Sequence, residues 1–97
     1  MKFEWDYEKN KRNKAIHKIR FETAMNVFHD EYRLEYYDEK HSQDEDRYKT
    51  IGMVNGIVTV ITVIYTNRKD VIRIISARKA NKKEREDYYD SKKKIQS

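Results

Sequence analysis

The sequence predicts an α+β fold: two N-terminal helices, an antiparallel sheet of three to four strands, and a C-terminal helix. Three observations carry this. Aliphatic residues crowd into positions 51–75 in the alternating or continuous runs that strands use. Apolar residues at helical spacing precede that region, and a helix-capping pattern follows it. The 97 residues contain no proline, repeat or linker-like stretch. One domain over 1–97 is therefore expected, with a basic, frayed tail from about 90.

Asp6 is placed to cap a helix from Glu8 to His17, its carboxylate accepting from the free amides of the first turn, with Trp5 anchoring the start. Asn10, Asn13 and His17 share one stripe of this helix and read as structural, while Ile16 and Ile19 give a narrow apolar contact. Phe21, Ala24, Met25 and Phe28 have the i, i+3, i+4, i+7 spacing of a short helix buried on one side. The tyrosine-rich run Arg33 to Tyr37 predicts a first strand, and His41 to Asp46 a polar loop.

Tyr48 to Val54 and Ile57 to Thr66 flank Asn55-Gly56, the dipeptide best suited to a two-residue hairpin turn. Ile57, Ile61 and Val63 face one way and Val58, Val60 and Ile64 the other, so this strand is expected at the centre of the sheet. A turn at Asn67 to Asp70 leads to a strand Val71 to Ala77. Asn81 and Glu84 then have capping-box spacing and open a last helix toward Lys94.

Charged residues make up 40 % of the chain and the formal charge is +5. The excess favours a polyanionic partner: nucleic acid, a membrane surface or an acidic protein. The segment 38–46 is acidic, so the basic character lies in patches. With no cysteine, disulfides, thiol nucleophiles and cysteine zinc sites are excluded. The N-terminus lacks an apolar signal core and the longest apolar run, Ile57 to Tyr65, is too short to span a bilayer as a helix, which predicts a soluble cytoplasmic protein with no membrane role.

His17, His29 and His41 lack zinc-helix spacing, and Gly52 and Gly56 cannot build a glycine-rich phosphate loop, so neither a metal nor another cofactor is expected. No recognition helix stands out for direct DNA reading. What is unusual is arginine on the strands: Arg47, Arg68, Arg73 and Arg78. Guanidinium groups grip phosphate bidentately and keep their charge. The plainer alternative is surface pairing with Asp70, Glu84 or the acidic loop. Arg73 and Arg78, five residues apart, face opposite ways in a regular strand, so one cleft could use both only if a bulge or strand end near Ala77 intervenes.

Phe3-Glu4-Trp5-Asp6 with Lys9-Asn10 and Asn13, then Phe21-Glu22, Ala24, Val27-Phe28, His41-Ser42, Arg47, Ile51-Gly52, Tyr65-Thr66 and Arg73-Ile74-Ile75-Ser76-Ala77-Arg78 closely resemble the BrnT ribonuclease toxins. The resemblance covers residues 2 to about 89 and is most specific from Ile72 to Arg78, followed by Ala80 and Glu84-Arg85. Three positions depart from the family: Tyr7 replaces a proline, Lys18 a glycine, and His29-Asp30-Glu31-Tyr32 stands where proline follows an Asp-Asp pair.

The resemblance implies a RelE-like fold and metal-free cleavage of RNA that inhibits translation and growth. It also implies neutralisation by a BrnA-like ribbon-helix-helix antitoxin, DNA being contacted only through the antitoxin complex, within which the toxin could pair as a homodimer. Carried onto this chain, Arg78 of the Ser-Ala-Arg motif is the first catalytic candidate, with Arg73 and Arg47 next. Lys49 would hold the flanking backbone, and Tyr65, Arg68 and His41 would support RNA binding. Arginine does not readily give up its proton, so removal of the 2′-hydroxyl proton falls to His41 or Glu45. A non-catalytic module that binds nucleic acid or antitoxin through the same patch is the competing reading.

Overall fold

The most apolar stretch of the chain becomes its central strand. A computed structural model describes residues 1–54 and 59–96. Among them five strands form one sheet in the order β1-β5-β4-β3-β2. These are β1 (Lys2–Trp5), β2 (Leu34–Tyr37), β3 (Tyr48–Met53), β4 (Val60–Arg68) and β5 (Val71–Lys79). β4 is buried on both faces, as its continuous apolar run requires. It pairs antiparallel with β3 from Met53↔Val60 to Tyr48↔Tyr65, the arrangement of a hairpin. The Asn55-Gly56 turn expected to close that hairpin lies outside the described residues, as do Ile57 and Val58.

The sheet corrects the sequence expectation in two respects: it is mixed and it has five strands. Lys2-Phe3-Glu4-Trp5 is a strand running parallel to β5, from Lys2↔Val71 to Trp5↔Ile74. The alternation was present, with Phe3 and Trp5 packing on the core, but four residues beside a helix cap give only a weak pattern. β4 also continues to Arg68, so the following turn shortens to Lys69 and Asp70, whose φ values of 48° and 68° suit a two-residue hairpin. β5 runs on to Lys79.

A register shift in the β4–β5 ladder has larger consequences. Ile64 pairs with Ser76 but Tyr65 pairs with Ile74, so Ile75 is an extra, bulged residue. The bulge resets the alternation of β5. Ile72, Ile74 and Ala77 all join one core, while Arg73, Ser76 and Arg78 sit opposite Thr66, Ile64 and Thr62 on the other face.

The first face carries helix α1 (Tyr7–His17), capped by Asp6 through a 3.0 Å bond from the Lys9 amide. It also carries a second helical segment, expected as one short helix but built as α2 (Phe21–Ala24) followed by a 3₁₀ turn Met25–His29. Asn26 bonds back to the carbonyls of Glu22 and Thr23, a local competition that disfavours a continued α-helix. Buried Asn13 fastens α1 to the sheet: its amide donates to Ala77 O at 2.8 Å and its carbonyl accepts from Ala77 N at 3.1 Å. Asn10 holds α2 through the Phe21 amide and Glu22.

The second face carries α3 (Lys82–Gln96) over only part of its length. Tyr88 is fully buried beside Ile51, Val60 and Ala80, and its hydroxyl donates to Asp30 at 2.6 Å. Asp30 also accepts from the Met53 amide, and these bonds outweigh burial to hold its carboxyl below the usual range. Gly52 lets this corner close, because a Cβ there would stand 3.0 Å from Val27, Asp30 and Arg33. Ile64 and Ser76, farther along this face, are only partly buried.

Candidate functional site

On that part of the sheet lies a cleft of about 570 Å³. Ile64, Ile75 and Ser76 line its floor, Tyr36 and Lys49 come from the β2–β3 side, and Asp38, His41, Arg47 and Arg78 complete it. Three of the expected cationic residues, Arg47, Lys49 and Arg78, thus converge with His41 although 31 positions separate Arg47 from Arg78.

Arg78 is fixed by a buried partner. Its Nη1 and Nη2 donate to the two carboxylate oxygens of Glu84 at 2.7 and 3.0 Å, and Nη1 also reaches Lys79 O at 3.3 Å. This end-on pairing engages both Nη atoms and leaves Nε–H, beside the second hydrogen of Nη2, without a hydrogen-bond partner among the described residues. Glu84 further accepts from Thr62 Oγ1 at 3.1 Å and from the Asn81 amide at 2.8 Å, with Lys49 Nζ 3.3 Å away. The reciprocal bond from the Glu84 amide to Asn81 Oδ1 completes the capping box read from the sequence. Burial pushes the Glu84 carboxyl up, but the bonds from Arg78 and Asn81 outweigh it and hold the pKa down at about 2. Arg78 is correspondingly raised by Glu84.

The loop from 38 to 47 is closed by Ser42, whose hydroxyl donates to Asp38 O at 2.6 Å and accepts from the Arg47 amide at 2.8 Å. The Asp38 amide donates to Arg47 O at 2.8 Å. This brings Arg47 beside His41, and its guanidinium has no ion-pair partner among the described residues. His41 Nδ1 lies 2.9 Å from Asp38 Oδ2 and its side chain is 58 % exposed. With Nδ1 engaged, Nε2 has no hydrogen-bond partner among the described residues.

The remaining candidates lie elsewhere. Arg68 gives its Nε–Nη2 edge to Glu45 at 3.0 and 2.8 Å. That bond holds the Glu45 carboxyl low and Arg68 high. Glu45 borders a neighbouring cleft of about 310 Å³ that shares His41 and Arg47. Arg73 is on the cleft face but nearer the other end of β5, bonded to Glu4 at 3.0 Å. Tyr65 points into the core, stacked on Tyr48 at 5.6 Å with its hydroxyl donating to Glu35 at 2.6 Å; burial and Glu35 push its pKa up.

Asp38 and Tyr36 join the site without a role assigned from the sequence, and Ser76, quoted there only as part of the Ser-Ala-Arg motif, joins them. For Asp38 the available signal is its spacing of three residues from His41, which places both side chains on one side of a tight turn. Among the described residues, no group of three or more histidine or carboxylate side chains is arranged to hold a metal ion. None of the helices among them is long and apolar enough to cross a membrane.

A family described as the ribonuclease toxin BrnT of type II toxin–antitoxin systems matches residues 5–84. The chain belongs to the BrnT family. That family description implies RNA as substrate and an antitoxin as partner. No curated protein matches the chain. Two departures of this BrnT chain from the family now have physical readings. Tyr7 is the first residue of α1, where proline is favoured, and Lys18 ends α1 with φ 64°, where glycine is favoured. Both lie away from the cleft.

Proposed function

We propose that this BrnT toxin is a metal-independent endoribonuclease whose reaction centre is the cleft formed by Arg47, Lys49, Arg78 and His41. The observation that carries this reading is the divided use of Arg78: Glu84 fixes one edge of the guanidinium, and the Nε–Nη2 edge is left for a phosphate. Such preorganised charge in a partly covered cleft stabilises the extra negative charge of a phosphorane without rearranging during the reaction. Arg47 adds a second cation with no carboxylate in direct ion-pair contact among the described residues, Glu45 acting on it only at a distance.

The RNA 2′-hydroxyl is the nucleophile. It loses its proton to His41 Nε2 as O2′ bonds to phosphorus and the bond from phosphorus to O5′ breaks, leaving a 2′,3′-cyclic phosphate and a 5′-hydroxyl that takes a proton from water. Asp38 orients His41 through Nδ1. Glu45 serves less well as the base because Arg68 occupies both of its oxygens. Arg73 and Arg68 extend the positive track along which the RNA backbone lies. The toxin acts in the cytoplasm, where RNA loss stops translation and growth, and a ribbon-helix-helix antitoxin neutralises it.

Arg78→Lys separates catalysis from folding. Lysine keeps a charge for Glu84 but lacks the second donor edge. The variant is expected to stay folded and bind antitoxin while losing 10²-fold or more in cleavage rate, in line with removal of one preorganised donor. Wild-type-like cleavage by this variant would refute the assignment. RNA binding by the wild type with no cleavage would instead establish the non-catalytic module.

A further inference from the structure

The cleft holds two kinds of surface, cations and an apolar floor with an aromatic wall, and a bare phosphate track needs only the first. Tyr36 is the unexplained part. Register places Tyr36 opposite Lys49, Lys49 opposite Ile64 and Ile64 opposite Ser76, so the four form one row across the sheet on the cleft face. Neighbouring tyrosines are already engaged. Tyr48 stacks on Tyr65, and Tyr37 packs edge-on against Tyr48 at 5.7 Å with its hydroxyl bonded to Asp46. Tyr36 has neither a ring partner nor a hydroxyl partner among the described residues, and it is 41 % exposed. Its one neighbour of note is the Lys49 ammonium, 5.3 Å from the ring centroid.

We infer that Tyr36 is the wall on which one nucleobase of the RNA stacks, with Ile64 and Ile75 beneath it, so that the cleft selects a nucleotide flanking the cleaved linkage. The inference rests on the ribonuclease reading. A base presents a flat apolar face, which an aromatic ring over aliphatic side chains matches without a hydrogen-bond code. Lys49, shared between the Tyr36 ring and Glu84, ties this wall to the carboxylate that fixes Arg78. Tyr36 and Arg78 stem from strands three spacings apart, about 14 Å, a span that takes in a flanking nucleotide as well as the cleaved phosphate.

The test compares wild type, Tyr36→Leu and Tyr36→Phe on a cleavable RNA hexamer and on its 2′-O-methyl counterpart, each also made with an abasic residue at one position in turn. Tyr36→Leu is expected to weaken binding of the 2′-O-methyl hexamer roughly tenfold, within the range for one stacked base, with the loss of cleavage appearing chiefly in KM. Tyr36→Phe is expected to recover most of that loss. At one position the abasic substitution should cost the wild type as much as Tyr36→Leu does, and cost Tyr36→Leu nothing further. Additive losses at every position, or unchanged affinity in Tyr36→Leu, would overturn the stacking site while leaving the ribonuclease intact. A wild type that neither binds nor cleaves the hexamer would overturn both.

Discussion

Replacing Glu84 by glutamine removes one charge from a buried side chain that meets Arg78, Thr62, Asn81 and Lys49, and changes little else in shape. The carboxylate is 6 % exposed and receives Arg78, Thr62 and Asn81, with Lys49 close by. Its pKa is depressed in the fold, from 4.5 to about 2. The stabilisation is therefore fully present above the unfolded value and is lost as pH falls through the folded one. The linked free energy is on the order of 3 kcal/mol at pH 7, about 1.4 kcal/mol at pH 3, and close to zero below pH 2. Glu84→Gln mimics the protonated acid, so the stability difference between wild type and variant should follow the same curve. Urea denaturation of both proteins between pH 7 and pH 2.5, analysed at constant m-value, reads it directly. A difference that does not change with pH would refute the reasoning, because the carboxylate charge would then not be what joins α3 to β4 and β5.

Other outcomes follow from the same geometry. Lys18→Gly should stabilise the protein by roughly 0.5–1 kcal/mol in thermal or urea melts, because it relieves a left-handed C-cap. Asn13→Ala should cost about 2–4 kcal/mol, since both backbone groups of Ala77 lose their side-chain partner in a buried setting. Gly52→Ala should cost about 1–3 kcal/mol through the three 3.0 Å approaches around it. His41→Ala should slow RNA cleavage about 10²–10⁴-fold at pH 7 with no change in melting temperature, as expected for an exposed general base.

The elements that announced themselves in the sequence did so through period and capping. The two-faced apolar run of β4, the Asp6 cap of α1 and the Asn81–Glu84 box of α3 are local patterns; the cap and the box appear as read, and β4 is buried on both faces over its described part from Val60. β1 was harder because Phe3 and Trp5 give only two alternations, and its partner β5 lies almost 70 residues away. The bulge at Ile75 leaves no mark in a run of apolar residues, yet it puts Arg73 and Arg78 on one face. The arginines were visible as a set, and Glu84 and the acidic loop were legible as their pairing alternatives; which arginine each takes, and the Glu4 partner of Arg73, were not, and these contacts sort Arg73, Arg68 and Arg78 by which donors stay free. Asp38 and Tyr36 depend on the fold of the 38–47 loop and on cross-strand register, which are tertiary facts.

The central claim is cleavage by the RNA's own 2′-hydroxyl, with positive charge supplied by this cleft and no metal. Its most direct test is incubation of the purified toxin in EDTA with labelled RNA and with the same RNA carrying a single 2′-deoxy residue at the cleaved linkage. The account predicts cut RNA ending in a 2′,3′-cyclic phosphate and no cut at the deoxy position. Cleavage that requires added magnesium, or that proceeds at the deoxy linkage, would contradict it.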